Sequence, residues 1–314
     1  MPLHPVAQKM LDDARASGRP NAHLLPVPTA RENFEALFAG LAKPDVAGTV
    51  DVTIPTRDGA AIRGRLYLPS EATGLALTVY YHGGGWLLGS IDSHDVTTRL
   101  LARASGEAVL SVDYRRGPEH RFPTAVDDAI DAFRWALAGP EPLRENGIDF
   151  SRVAVAGDSA GGNLAAAVAL DARDAGVEPV IRHQLLVYPS ATSDLAIGFD
   201  DAYEGVMLEK DELRWHQRNY LRGPGDVGDP RVSVLNAEHR GLPETTIILA
   251  ECDPIKPQGE LLARALEAAG VPLGVREYPG MIHGFFGLDE LFPPATEAMT
   301  YAGSRLAAAL TDPR

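Results

Sequence analysis

Apolar positions recur at helical spacing over the first 45 residues, where Phe34, Leu37, Phe38 and Leu41 fall at i, i+3, i+4 and i+7. Ahead of them, Thr29-Ala30-Arg31-Glu32 has the spacing of a capping box, which predicts a helix opening at Thr29. Such a stripe must cover something apolar, either the core or the mouth of a site. From Val50 the period shortens. Val50 to Ile54 and Ala61 to Leu68 have strand composition, and Thr56-Arg57-Asp58-Gly59 between them is a turn signal, so an antiparallel hairpin is expected.

Beyond the hairpin, short apolar runs alternate with longer helical patterns. The runs are Leu75 to Tyr81, Ala108 to Val112, Val153 to Ala156, Ile181 to Val187, Ile247 to Ala250 and Leu273 to Tyr278. Helical patterns cover Val96 to Ala104, Ala125 to Leu137, Asn163 to Ala175, Gly259 to Ala269 and Ala295 to Leu310. Near-continuous apolar strands alternating with helices predict a mostly parallel α/β sheet covered on both faces. One stretch breaks the rhythm: Ser190 to Gly241 separates two strands by about fifty residues, far beyond the usual 2 to 6. It holds one helical pattern, Lys210 to Leu221, dense with charge. Residues 190–241 and 1–45 are expected to form cap elements on a single domain spanning 1–314, not an independent unit.

Two glycine-rich turns follow apolar strands. Val153 to Ala156 runs into Gly157-Asp158-Ser159-Ala160-Gly161-Gly162 and then a helix. Gly-x-Ser-x-Gly alone is weak evidence, but strand, sharp turn and helix together are the context that a nucleophilic serine at a strained elbow requires. A glycine-rich helix start without chemistry is the plain alternative. Tyr80-Tyr81-His82-Gly83-Gly84-Gly85-Trp86 follows another strand, and its glycines free the backbone amides to point at a ligand oxygen. No Gly-Lys-Ser/Thr follows, which weakens a phosphate-loop reading.

Partners for Ser159 are sought later in the chain, in the order serine, acid, histidine. Asp253 lies just past the strand Ile247 to Ala250, and His283 follows the strand Leu273 to Tyr278. In open α/β sheets these carboxyl ends line the ligand crevice. His283 is the one histidine after Asp253. Glu251 is the rival acid, but it sits closer to the strand. Trp86, Asp158, Tyr188, Met207, Leu208 and Phe285 are candidates for lining the pocket, and each fits ordinary core equally well.

Composition narrows the partners. The 314 residues are 45% hydrophobic and 23% charged, the profile of an ordinary globular protein. A net charge of −14 disfavours nucleic acid and anionic lipid as partners and is compatible with simple solubility. The single cysteine, Cys252, excludes an intrachain disulfide and a metal–thiolate cluster. The start of the chain lacks the basic and apolar regions of a signal peptide, and no apolar run approaches the roughly 18 to 20 residues of a transmembrane helix. A cytoplasmic protein without membrane insertion is expected.

With these residues assembled, the chain resembles the bacterial hormone-sensitive-lipase family of esterases over nearly its whole length. The resemblance is carried in order by His82-Gly83-Gly84-Gly85-Trp86, Asp113-Tyr114-Arg115, Pro118-Glu119-His120, Phe122-Pro123, Gly157 to Gly162, Asp253-Pro254 and His283-Gly284-Phe285. It implies an α/β-hydrolase fold with a central sheet of about eight strands and a helical cap. It further implies hydrolysis of small esters without cofactor or metal, and oxyanion-hole amides from Gly84, Gly85 and Ala160. Two departures stand out. Ile255-Lys256-Pro257-Gln258 replaces the family's usual Leu-Arg-Asp-Glu after the Asp-Pro, and Arg116-Gly117 replaces Leu-Ala. The expected activity is a carboxylesterase for short- to medium-chain acyl esters, with a homodimer as one admissible assembly. An acyltransferase with the same triad and a receptor-like binding protein on the same fold are the alternatives.

Overall fold

Strands β1 (Gly48–Pro55) and β2 (Ala61–Leu68) form the expected antiparallel hairpin, with Ile54 opposite Ile62. The turn is closed by Thr56, whose amide donates to the Ala60 carbonyl at 3.0 Å and whose hydroxyl donates to Asp58 at 2.6 Å. Six further strands complete one sheet: β3 (Leu75–Tyr81), β4 (Ala108–Asp113), β5 (Ile148–Asp158), β6 (His183–Val187), β7 (Glu244–Ala250) and β8 (Leu273–Tyr278). Their order is β1-β2-β4-β3-β5-β6-β7-β8; β2 meets β4 antiparallel, and from β4 to β8 every pairing is parallel. The computed structural model describes residues 2–177 and 181–311.

Helices cover both faces, as near-continuous apolar strands require. All seven residues of β3 and all five of β6 are buried. On one face lie α4 (Thr124–Leu137), α6 (Ala160–Asp174) and α8 (Lys256–Ala268). The other face is covered by α3 (Asp95–Ser105) and α9 (Pro293–Thr311), which approach so closely that a β-carbon on Gly303 would come within 2.4 Å of the Ala104 carbonyl carbon. Helix α6 is buried nearly all round, and its run of alanines lets it sit close against the sheet.

The crossing order fixes where a site can form. The chain moves from β3 outward to β4, then returns to the other side of β3 as β5. Such a reversal opens a crevice beyond the carboxyl ends of the strands on either side of it. Tyr81 and Gly157 are register partners there, so the glycine loop after β3 and the serine turn after β5 leave the sheet side by side.

Several boundaries depart from the pattern-based expectation. Helix α6 opens at Ala160, not Asn163, because Gly161 and Gly162 give periodicity no apolar side chain to register. Strand β5 begins at Ile148, ahead of the apolar run, through the polar Asp149, Ser151 and Arg152. A short helix, α5 (Glu141–Glu145), has no apolar stripe that would have announced it.

The N-terminal segment holds α1 (Pro5–Ala16) and α2 (Val27–Phe38) with a 3-10 turn at Ala22–Leu24 between them. Helix α2 opens at Val27 after Pro26, with no side-chain capping bond, so the box at Thr29 is not used. Pro28 already sits in the first turn, where its missing N–H costs nothing. Leu37 is 64% exposed, so only part of the predicted stripe is covered. Arg31 instead anchors α2. Its guanidinium donates to the carbonyls of Leu87 at 2.8 Å and Gly117 at 2.5 Å, and pairs with Glu119 at 2.7 Å. The long 190–241 segment contains α7 (Lys210–Tyr220) and 3-10 turns at Asp201–Tyr203, Pro224–Gly228 and Val234–Asn236. It meets the N-terminal segment where Asn21 donates to Glu209 at 2.9 Å.

Candidate active site

Ser159 occupies the turn between β5 and α6 with φ 53°, a left-handed conformation that disfavours any side chain. The surroundings hold it there. Its amide donates to the Val187 carbonyl at 2.8 Å, and its carbonyl accepts from Asn163 and Ser190 at 3.1 and 3.0 Å. The flanking glycines are required by close backbone approach: a β-carbon on Gly161 would lie 1.9 Å from the Tyr81 carbonyl oxygen, and one on Gly157 would lie 2.3 Å from that of Gly161. Ala160 is the first residue of α6, so its N–H has no acceptor within the helix and carries the positive end of the helix dipole.

His283 arrives from the loop after β8 and Asp253 from the loop after β7. His283 Nε2 lies 2.9 Å from Ser159 Oγ, and Nδ1 lies 2.7 Å from Asp253 Oδ2. Asp253 is fully buried, and its other oxygen accepts the Ile255 amide at 2.8 Å. Burial alone pushes the imidazole's pKa down, but the carboxylates of Asp253, Asp158 and Glu212, Asp253 foremost, together outweigh it. The net shift is upward. Glu251, the rival acid, is engaged elsewhere: its carboxylate accepts the Gly280 amide at 2.7 Å, bracing the turn that leads into the His283 loop. The Gly280 carbonyl accepts from the His4 amide at 3.0 Å, so the N-terminal segment braces the same turn.

The glycine loop is shaped by its own crowding. Gly84 has φ 116°, and a β-carbon there would lie 2.3 Å from the Leu88 carbonyl oxygen. Gly85 has φ 59°, with His216 of α7 against its Cα. Asp158 lies behind this loop and holds it in place. It accepts the Gly83 amide at 2.9 Å and the Tyr80 hydroxyl at 2.6 Å, with His94 Nε2 3.6 Å away. Burial pushes the Asp158 carboxyl up, but His94 and Tyr80 outweigh it and its pKa lies below the usual carboxylate value. His94 is in turn stacked against Phe38 of α2 at 5.9 Å.

The remaining pocket candidates are spread more widely. The Tyr188 ring lies 4.6 Å from that of His283, on a backbone at φ 33°. Trp86 stacks on Tyr220 of α7 at 4.7 Å and nearly parallel, joining the glycine loop to the long insertion. Phe285 is fully buried between Tyr188 and Tyr278, at 6.0 and 5.5 Å. Met207 is half-exposed at φ 65°, and Leu208 is partly buried beside it. Sequence reasoning singled out neither His216 nor Glu212 as a site residue; the signal available was the apolar Trp215 and Tyr220, which share the buried side of the helix with His216.

The residues that depart from the family's pattern make local contacts. Gln258 is buried and accepts the Thr192 amide at 3.2 Å, tying α8 to the loop after β6. Lys256 pairs with Glu277 of β8 at 3.1 Å. Arg116 donates to the Gly89 carbonyl beyond the glycine loop.

Among the described residues no three His, Cys, Asp or Glu side chains gather as a metal site, and no helix is long and apolar enough to cross a membrane. Residues 78–287 match the family model described as alpha/beta hydrolase fold. An ethyl acetate hydrolase of Pseudomonas putida is 37% identical over 301 residues, covering 93% of each chain. The carboxylic ester hydrolase LipN of Mycobacterium tuberculosis is 38% identical over 299 residues, 92% of this chain and 78% of its own. Among solved structures, a hyperthermophilic esterase from Pyrobaculum calidifontis superposes with a TM-score of 0.90 at 38% identity, over 98% of this chain and 99% of that one. With relatives of this kind and an eight-stranded sheet of this order, the chain belongs to the α/β-hydrolase family, as a carboxylic-ester hydrolase of its hormone-sensitive-lipase branch.

Proposed function

We propose that the chain hydrolyses short- to medium-chain acyl esters through an acyl-enzyme on Ser159, with His283 as general base and Asp253 as the acid that orients it. The observation that carries this reading is the unbroken line Asp253–His283–Ser159, with spacings of 2.7 and 2.9 Å. His283 takes the hydroxyl proton as Ser159 Oγ attacks the ester carbonyl, and the carbonyl π electrons move onto oxygen. The amides of Gly84, Gly85 and Ala160 stabilise that oxyanion, each for about 3 to 4 kcal/mol of barrier. Collapse expels the alcohol, which takes its proton from His283. A water activated by the same imidazole then cleaves the acyl-enzyme and restores Ser159.

Asp158 and Tyr188 serve this site from behind and beside it, on this reading, and Trp86 and Phe285 support its walls. Residues 1–45 and 190–241 act as the cap, with Met207 and Leu208 at its margin. The ethyl acetate hydrolase relative supports a small acyl group. Hydrolysis and transfer to a second alcohol share every step up to the acyl-enzyme, so product analysis with and without added alcohol separates them.

The nucleophile is tested by Ser159→Ala. The variant is expected to fold as the parent does, by circular dichroism, and to lose about 10⁴ to 10⁶ in kcat on p-nitrophenyl butyrate. The parent should release one equivalent of p-nitrophenol in a rapid phase under conditions where deacylation is slow. Retention of more than a few per cent of turnover by the variant removes Ser159 from the role.

A further inference from the structure

Helix α7 carries a buried polar pair that the proposed hydrolysis does not use. His216 and Glu212 lie one turn apart, with His216 Nε2 3.8 Å from Glu212 Oε1 and side-chain exposures of 8% and 15%. The imidazole rests against the glycine loop. A β-carbon on Gly85 would come within 2.2 Å of His216 Nδ1 and 2.4 Å of Cε1, so the glycine makes the room that the ring fills. Among the described residues, Nδ1 has no hydrogen-bond partner. The Glu212 charge also favours the protonated form of His283. His216 therefore borders the loop assigned to the oxyanion.

A buried ring nitrogen without a partner is unfavourable, and an alkyl group placed beside it leaves it so. With Nε2 3.8 Å from Glu212, beyond hydrogen-bond reach, neutral His216 carries either a lone pair or an N–H at Nδ1, and the protonated ring carries an N–H there. A hydroxyl serves both states because it accepts and donates. A methyl group of the same size serves neither.

We infer that His216 is a specificity-determining contact for a hydroxyl group that the ester carries close to its scissile carbonyl. This rests on the ester-hydrolase reading above. The hydroxyl can belong to the acyl part or to the alcohol part, and the two sources are distinguished by paired substrates that differ only by hydroxyl for methyl.

The acyl pair is ethyl glycolate and ethyl propionate; the alcohol pair is 2-hydroxyethyl propionate and propyl propionate. All four are assayed by pH-stat, and each hydroxyl-to-methyl ratio of kcat/KM is divided by the same ratio for hydroxide-catalysed hydrolysis. For the parent protein, one corrected ratio is expected to exceed unity by about fivefold or more. His216→Phe should lower that ratio about tenfold, and His216→Gln, which keeps polar atoms, should restore part of it. An imidazole that merely packs on Gly85 would scale all four rates together, so ratios within twofold of the parent overturn the inference. Corrected parent ratios near one overturn it without any variant, which covers a His216→Phe that does not fold. Failure of the parent to hydrolyse any of the four esters removes the underlying short-chain-ester reading instead.

Discussion

At His283, activity and the ion pair pull in opposite directions with pH. Burial lowers its pKa, but the carboxylates around it, Asp253 foremost, together raise it further than burial lowers it. The proposed general base must be neutral to act, so kcat/KM should rise with pH through a midpoint above the unperturbed value of about 6.5. The linked stability runs the other way. A histidine with a raised folded-state pKa stabilises the fold fully below about 6.5, and that contribution is lost as pH rises through the folded value. Asp253→Asn should shift the activity limb to lower pH and cut kcat by about 10⁴, because an amide favours the wrong tautomer. Glu251→Gln removes only a charge that braces the Gly280 turn, and a loss of tenfold to a hundredfold is expected. A midpoint below about 6, or a larger loss at Glu251, would contradict these assignments. Much at this scale was legible beforehand, because close backbone approach forces glycine at Gly157 and Gly161 and so writes the turn into the sequence. The contacts of Asp158 were not, because a carboxylate next to Ser159 gives no sign that it turns back toward the Gly83 amide.

Among elements, those with a strong apolar period were the readable ones. Buried strands β3 and β6 announce themselves as continuous runs, whereas the polar start of β5 does not. Helix α2 shows how tertiary contacts override a local signal. Thr29 to Glu32 has capping-box spacing, but Arg31 within it reaches carbonyls 56 and 86 positions away, which local pattern cannot reveal. Through Arg31 on Leu87 and Gly117, and through Phe38 on His94, α2 grips the outer side of the glycine loop. Arg31→Met keeps the aliphatic stem and deletes the bonds. Charged hydrogen bonds to carbonyls are worth about 1.5 to 3 kcal/mol each at best, and partial exposure on the Glu119 side discounts the total. A loss of about 2 kcal/mol and, for a chain of 314 residues, a fall in Tm of about 3 °C are expected. On the proposed mechanism turnover should fall as well, because a slackened loop would place the Gly84 and Gly85 amides less well. An unchanged Tm and kcat would show that α2 is held by its apolar contacts alone.

For the whole molecule, surface character and enclosure together bear on substrate size. The net charge is −14, and α7, which lies over Gly85, presents Lys210, Asp211, Arg214 and Arg218 alongside its buried Trp215 and Tyr220. Large apolar side chains do remain exposed in the two flanking segments: Leu24, Leu37, Ile197 and Met207. They stand on four separate stretches of chain, not along the face of one helix, unlike the continuous apolar face with which a helix lies on lipid. The inward side of α7 is already committed, with Tyr220 stacked on Trp86 and His216 on Gly85. Room for a long acyl chain would have to come from displacing these rings. Each added methylene gains about 0.8 kcal/mol only while it finds apolar space, so kcat/KM should climb over the first few carbons and then fall. Esters of p-nitrophenol from acetate to palmitate, run beside emulsified triolein, test this. The maximum is expected between acetate and octanoate, with no rate increase at the emulsion interface. A maximum at palmitate, or activation on triolein droplets, would mean that the two flanking segments open far wider than their contacts here allow.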